Sequence, residues 1–295
     1  MSIPSQKAEL ELEYDATLAE CPVWDERENQ LYWVDILSGI LYRYDARRKQ
    51  NTGFEIGEHV GSFAMREDRG AVLALKSGFA FYDFETRKTT HLSDPEAHLP
   101  NHRFNDGKCD PRGRFWAGTL SYDQQQGAGS LYMLNSNLSI DLKLRRLTIP
   151  NGMAWDTGLE AFYFIDSPDR TIYSFDFDEH TAEIDNRSVV LELDHPDALP
   201  DGMTIDTEGN LWVALYNGFK VICIDPGNGN TLYEVELPVP QVTSCTFGGD
   251  QLDELYITTA REHMKEEQVE KYPLSGSIFR AKVPFNGTPA RRFAG

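Results

Sequence analysis

Four oxygen-bearing side chains recur at one place in a repeated pattern: Glu20, Asn105, Asn151 and Asp201. Each stands five residues before an Asp that closes a largely apolar run, namely Asp25, Asp110, Asp156 and Asp206. The clearest copies read Pro150-Asn-Gly-Met-Ala-Trp-Asp156 and Pro200-Asp-Gly-Met-Thr-Ile-Asp206. Two carboxylates and two amides converging on one axis are poorly satisfied unless something neutralises them. A divalent cation does so, because hard cations prefer oxygen ligands. The competing reading takes Asn-Gly and Asp-Gly as turn signals. It leaves Glu20 unexplained, since Cys-Pro follows it rather than Gly. In two further units the register is looser, and Ser62 and Thr243 are the nearest polar residues. A cation with an open coordination position polarises a carbonyl and lowers the pKa of bound water, which serves ester, lactone or phosphoester hydrolysis. Arg103, two residues before Asn105, adds a fork of donors suited to a polyhydroxylated or anionic ligand.

Other chemistry is poorly represented. There is no Gly-x-Ser-x-Gly elbow, no phosphate-cradling glycine loop and no dinucleotide fingerprint. The seven His show no metal-binding spacing, and only His102 lies beside the candidate residues. Cys109 and Cys245 read as small core fillers, whereas Cys21 adjoins Glu20. The net charge of −19 argues against nucleic acid and against an anionic membrane surface as partners. Residues 1–15 carry neither a basic start nor an apolar run, so no signal peptide is expected, and no stretch has the length of a membrane span. Four widely spaced Cys read as reduced thiols, which predicts a cytoplasmic location.

The elements that must position these residues are short strands. Residues 31–35 (Leu-Tyr-Trp-Val-Asp) and 40–45 (Ile-Leu-Tyr-Arg-Tyr-Asp), joined through Ser38-Gly39, form a meander. Second strands of equivalent units begin near Leu31, Ala71, Arg114, Phe162, Leu211 and Glu254, about 40 to 50 residues apart. That period predicts an all-β six-bladed β-propeller with blades of four antiparallel strands, one domain over residues 1–295. The last unit lacks a strong fourth strand, and the N-terminal alternation at residues 9–14 (Glu-Leu-Glu-Leu-Glu-Tyr) is expected to close the last blade. A two-sheet sandwich or two smaller β domains would not produce this spacing. Helical signal is confined to residues 262–270. The innermost strands line the central channel, so the repeated polar position falls at one level of it.

These residues resemble a known family, that of gluconolactonase, regucalcin (senescence marker protein) and luciferin-regenerating enzyme. The resemblance spans nearly the whole chain. It rests on Ala19-Glu-Cys-Pro-Val-Trp24, Arg103-Phe-Asn-Asp-Gly-Lys108, Phe115-Trp-Ala-Gly-Thr119, Pro150-Asn-Gly-Met153, Pro200-Asp-Gly-Met203 and Thr258-Thr-Ala-Arg261. It implies a six-bladed propeller with one divalent metal held by Glu20, Asn151 and Asp201, with Asp201 also the general base. It implies substrate contacts from Arg103 and Asn105, and assigns Asp123, in the loop 121–129, to the place of a Glu in regucalcin-like members. Family members usually have Gly where Cys21 stands. The implied activity is metal-dependent hydrolysis of a sugar (aldono-) lactone to the aldonic acid, without a redox cofactor. Calcium, magnesium, manganese, iron(II) and zinc all accept oxygen ligands, and the oligomeric state is not legible. Two alternatives share the site: an organophosphate or aryl-ester hydrolase, and a non-enzymatic calcium-binding regulatory propeller.

Overall fold

The computed structural model describes residues 3–295. It contains six sheets arranged as a propeller. Blade 1 runs Ala19–Asp25, Gln30–Asp35, Ile40–Asp45, Gln50–Glu55. Blade 2 begins with Val60–Met65, blade 3 with His102–Cys109, blade 4 with Pro150–Asp156, blade 5 with Leu199–Ile205 and blade 6 with Val242–Gly248. Each innermost strand packs against its two neighbours, blade 6 against blade 1 included, so the ring is closed. The core is accordingly six apolar clusters, one in each space between adjacent blades.

The last blade is completed from the other end of the chain. Glu9–Leu12 pairs antiparallel with Ile278–Lys282, as residues 9–14 predict, but ends two residues early. The reason lies in Tyr14. Its ring packs edge-on against Trp33 and Tyr42, and its hydroxyl bonds that of Tyr42 at 2.8 Å, which draws the chain towards blade 1. Just upstream, Ser5–Lys7 adds a parallel fifth strand to blade 5. This short, polar strand has no apolar alternation to announce it. The N-terminus thus stitches blade 5 to blade 6 before entering blade 1.

The Asp residues that close four innermost strands hold turns. Asp25, Asp110, Asp156 and Asp206 each accept the N–H two residues on, at 2.8 to 2.9 Å. The other oxygens of Asp110 and Asp206 accept the indole N–H of Trp116 and Trp212, both at 3.0 Å. Helix forms over Glu266–Lys271 rather than 262–270. The segment ahead of it is held in a turn instead, with His263 at φ +60° and Met264 N–H bonded to Arg261 O. Among the described residues no helix is long and apolar enough to cross a membrane.

Residues 286–295 cross the channel end where the innermost strands finish. One end of this strap is pinned to Thr207 and Leu252, the other to Met65, Glu67 and Gly113. Thr288, Pro289, Ala290 and Arg291 form the floor of a cavity of about 140 Å³ inside the channel. Phe293, fully buried between blades 2 and 3, anchors the strap. Phe293→Ala is expected to cost about 3–5 kcal/mol, read as a lower midpoint in urea unfolding.

Candidate active site

At the opposite end of the channel every innermost strand breaks its ladder with the second strand. The break falls between Glu20 and Val23, Phe104 and Gly107, Pro150 and Met153, and Pro200 and Met203, with shorter ones at Val60/Ser62 and Val242/Ser244. A bulge leaves residues unpaired and re-aims their side chains. Here it falls on or next to Glu20, Asn105, Asn151 and Asp201, all four buried. Neither Asn-Gly nor Asp-Gly is a turn: both lie within strands. Gly152 is needed for close approach, since a Cβ there would stand 2.7 Å from Asp201 O. In blade 2 the skipped residue is Gly61, whose Cβ would meet Phe104 O at 2.4 Å, so Ser62 does not occupy the equivalent place. Thr243 does, and its hydroxyl bonds Ala19 O at 2.6 Å and Thr258 at 2.7 Å.

Buried Asp residues fix the chain leading into two of these positions. Asp35 accepts the N–H groups of Thr17 and Leu18, both at 3.1 Å, and Asp166 those of Thr148 and Ile149 at 2.8 and 2.7 Å. A relay then orients the amides. Arg103 Nη1 donates to Asn105 Oδ1 at 2.8 Å, and Asn105 Nδ2 donates to Asn151 Oδ1 and Pro150 O, both at 2.9 Å. Asn151 Nδ2 donates to Ser167 Oγ at 2.8 Å, whose hydroxyl donates to Pro200 O at 2.7 Å. Asn151 is therefore held with its oxygen on the Asn105 side and keeps a second lone pair.

The carboxylates are far less satisfied. Glu20 accepts the Cys21 N–H at 2.9 Å, and Asp201 has the Gly202 N–H. Among the described residues no Lys, Arg or His forms an ion pair with either. A third buried acid, Asp106, accepts the Gly107 N–H at 2.7 Å. Burial raises Glu20 to about 8, with the Asp106 charge adding to it, against the opposing Cys21 N–H and Arg103. Burial, then Glu20 and Asp106, push Asp201 well above the usual carboxylate range. Asp106 is raised by burial, with Lys108 opposing. Buried acids without a basic partner are costly to ionise. No cluster of three or more His, Cys, Asp or Glu with metal-binding geometry occurs among the described residues. The donor set here is two carboxylates and an amide oxygen, which fits a hard divalent ion.

The remaining residues are placed as follows. Asp123 is exposed at the rim, its carboxylate bonded by Asn101 Nδ2. The loop residue beside Arg103 is instead Tyr122, whose ring centre lies 6.0 Å from Arg103 Cζ and whose hydroxyl meets His59 Nδ1 at 2.7 Å. His102 bonds Glu96 at 2.8 Å, together with Thr119 and Tyr132, and so braces blade 3. Cys21 has φ +48°, a left-handed conformation that costs a residue with a Cβ roughly 1–2 kcal/mol. That backbone accounts for a position where Gly fits readily. Its thiol is pushed up by burial and by Asp106, and lies 3.6 Å from Phe63 O, so it stays protonated and is a poor nucleophile. Sequence reasoning missed Asp106, Ser167 and Tyr122. Only Asp106 carried a local signal, as the acid following Asn105.

The family profile described as "SMP-30/Gluconolactonase/LRE-like region" matches residues 18–261. The chain belongs to the SMP-30/gluconolactonase/LRE-like family. A Bacillus subtilis (strain 168) protein with the provisional name sugar lactone lactonase YvrE is 37% identical over 288 residues, covering 98% of this chain and 99% of that one. Regucalcin of Gallus gallus is 38% identical over 284 residues, 94% of this chain and 95% of its own. The solved luciferin-regenerating enzyme superposes with a TM-score of 0.91 at 30% identity, over 98% of this chain and 100% of that one. The stretch that matches the SMP-30/gluconolactonase/LRE-like profile contains every residue of the relay.

Proposed function

We propose that this protein hydrolyses a sugar (aldono-) lactone to the aldonic acid, with one divalent cation held by Glu20, Asn151 and Asp201. The observation that carries the reading is the pair of buried carboxylates without a basic partner, beside an amide whose oxygen is oriented by Asn105. Membership of a gluconolactonase-like family and likeness to a lactonase-named relative support it. A bound divalent cation supplies polarisation of the lactone carbonyl and acidification of a water molecule. Asp201 accepts the proton of the attacking water as the new C–O bond forms. The ring C–O bond then breaks, and the ring oxygen takes up the proton held by Asp201 and becomes the product hydroxyl.

Arg103 and Asn105 divide the positioning. Arg103 Nη1 is occupied by Phe104 O and Asn105, while Nη2 makes no hydrogen bond among the described residues and is left for a substrate oxygen. Asn105 commits both its amide hydrogens to Pro150 and Asn151, so towards substrate it can only accept. Asp123, tied to Asn101 at the rim, is the least committed of the proposed contacts. The all-oxygen donor set does not select among calcium, magnesium, manganese, iron(II) and zinc.

The test is acid release from a panel of aldonolactones by chelator-stripped protein, with each divalent ion added back. The expected result is cation-dependent release at least about tenfold over the spontaneous blank on one or two lactones. No release by folded protein shown to bind the ion would sink the reading.

A further inference from the structure

We infer that Glu262 is a specificity-determining residue that accepts hydroxyl hydrogens of an uncharged, polyhydroxylated lactone across the pocket from Arg103. The inference rests on the lactonase reading and names the substrate class that its pocket prefers.

Glu262 opens the segment between the second and third strands of blade 6, and the start of that segment is rigid. Arg261 N–H bonds Thr17 O at 3.0 Å, and its guanidinium bonds Ser275 O at 2.6 Å, Pro273 O at 2.7 Å and the Asp15 carboxylate at 2.6 Å. Ala260 bridges Leu18, two residues before Glu20, and its N–H bonds Gln241 O. Gln241 in turn bridges Tyr216 of blade 5 and donates Nε2 to Glu262 O at 2.9 Å. Glu262 is therefore held where blades 5, 6 and 1 meet, on the rim above Glu20 and Asp201.

Its side chain is only 20% exposed, yet its carboxylate has one neighbour among the described residues, the exposed His263 ring at 3.6 Å. A largely buried acid without a firm partner calls for an explanation. Beside it Gln241 Oε1 is buried and has no partner, and on blade 3 Arg103 Nε is in the same position. The Glu262 charge lies within electrostatic reach of Glu20, Asp201, Arg103 and Tyr216.

Arg103 thus offers a free donor, and Glu262 an acceptor without a firm partner. A polyol has hydrogens and lone pairs for both. An aryl ester has no hydroxyl to donate, and a phosphorylated lactone brings negative charge towards a carboxylate. A site built to accept a hydroxyl rejects the analogue lacking it, because the acceptor is then left unpaired.

The test compares kcat and KM for an uncharged aldonolactone and for unsubstituted δ-valerolactone in wild type, Glu262→Gln, Glu262→Leu and the control Glu266→Gln. Glu266→Gln removes an equal charge from the neighbouring short helix. Melting temperature reports folding, and calorimetry measures binding of sorbitol to the cation-loaded protein. Glu262→Leu is expected to lower the ratio of kcat/KM for the hydroxylated over the unsubstituted lactone by about tenfold or more, through KM. Glu262→Gln should fall between, since its amide oxygen still accepts, and Glu266→Gln should leave the ratio at the wild-type value. An unchanged ratio in folded Glu262→Leu overturns the inference. If wild type opens no lactone, the lactonase reading fails by itself and sorbitol binding decides: weaker binding by Glu262→Leu supports the assignment, and equal or absent binding overturns it.

Discussion

Asp201→Asn should lower kcat/KM on an aldonolactone by at least about 10³-fold, while the protein remains cooperatively folded. A general base contributes about 10²–10⁴-fold on its own, and the substitution also removes a charged ligand from the proposed cation site. The fold has no reason to suffer. Asp201 is a buried acid pushed up by burial and by the charges of Glu20 and Asp106, and among the described residues no basic side chain pairs with it. An isosteric amide removes that repulsion, so the chelated variant should melt at or above the wild-type temperature at pH 8. Kinetics and a melting curve on one preparation check both halves. Near-normal turnover by Asp201→Asn would falsify its role as base.

Chelated protein should lose stability as pH rises from about 4.5 to about 8. Glu20 has an ordinary value of 4.5 and stands at about 8 in the fold. Between these values the folded chain binds a proton that the unfolded chain has released. The folded state is therefore progressively disfavoured across that window, and the full penalty stands above it. For a buried group the cost is on the order of 5 kcal/mol, and the raised Asp201 acts in the same direction. A divalent cation binds the deprotonated carboxylates, so its stabilising effect should be small near pH 5 and largest near pH 8. Melting temperatures across pH, with and without saturating cation, measure both slopes. Glu20→Gln should flatten the chelated slope, both by removing its own titration and by relieving the charge that raises Asp201. A chelated wild type that gains stability towards pH 8, or a cation effect independent of pH, contradicts this account.

The order of the blade strands, the number of blades and the ring they close were legible in the chain, because each depends on local patterning. Apolar runs of alternating period, turn residues between them and a recurrence every 40 to 50 residues or so specify blades before any long-range contact is known. The alignment of Glu20, Asn105, Asn151 and Asp201 was legible for the same reason. Each lies a fixed distance from an Asp that holds a local turn, so register within a blade carries over to register around the channel. Where two blades or two distant segments meet, that logic stops. The glycines after Asn151 and Asp201 resemble turn signals, yet they serve the close approach of neighbouring strands. Tyr122 rather than Asp123 stands beside Arg103, because Asn101 engages the Asp123 carboxylate. Ser167 joins the relay from the strand end beside Asn151, and Glu262 reaches the site from beyond the last inner strand. In its own sequence neighbourhood Glu262 is one acid among several. It becomes distinctive only when Arg261, Gln241 and the ring closure hold it where blades 5, 6 and 1 meet, with no firm partner for its charge among the described residues.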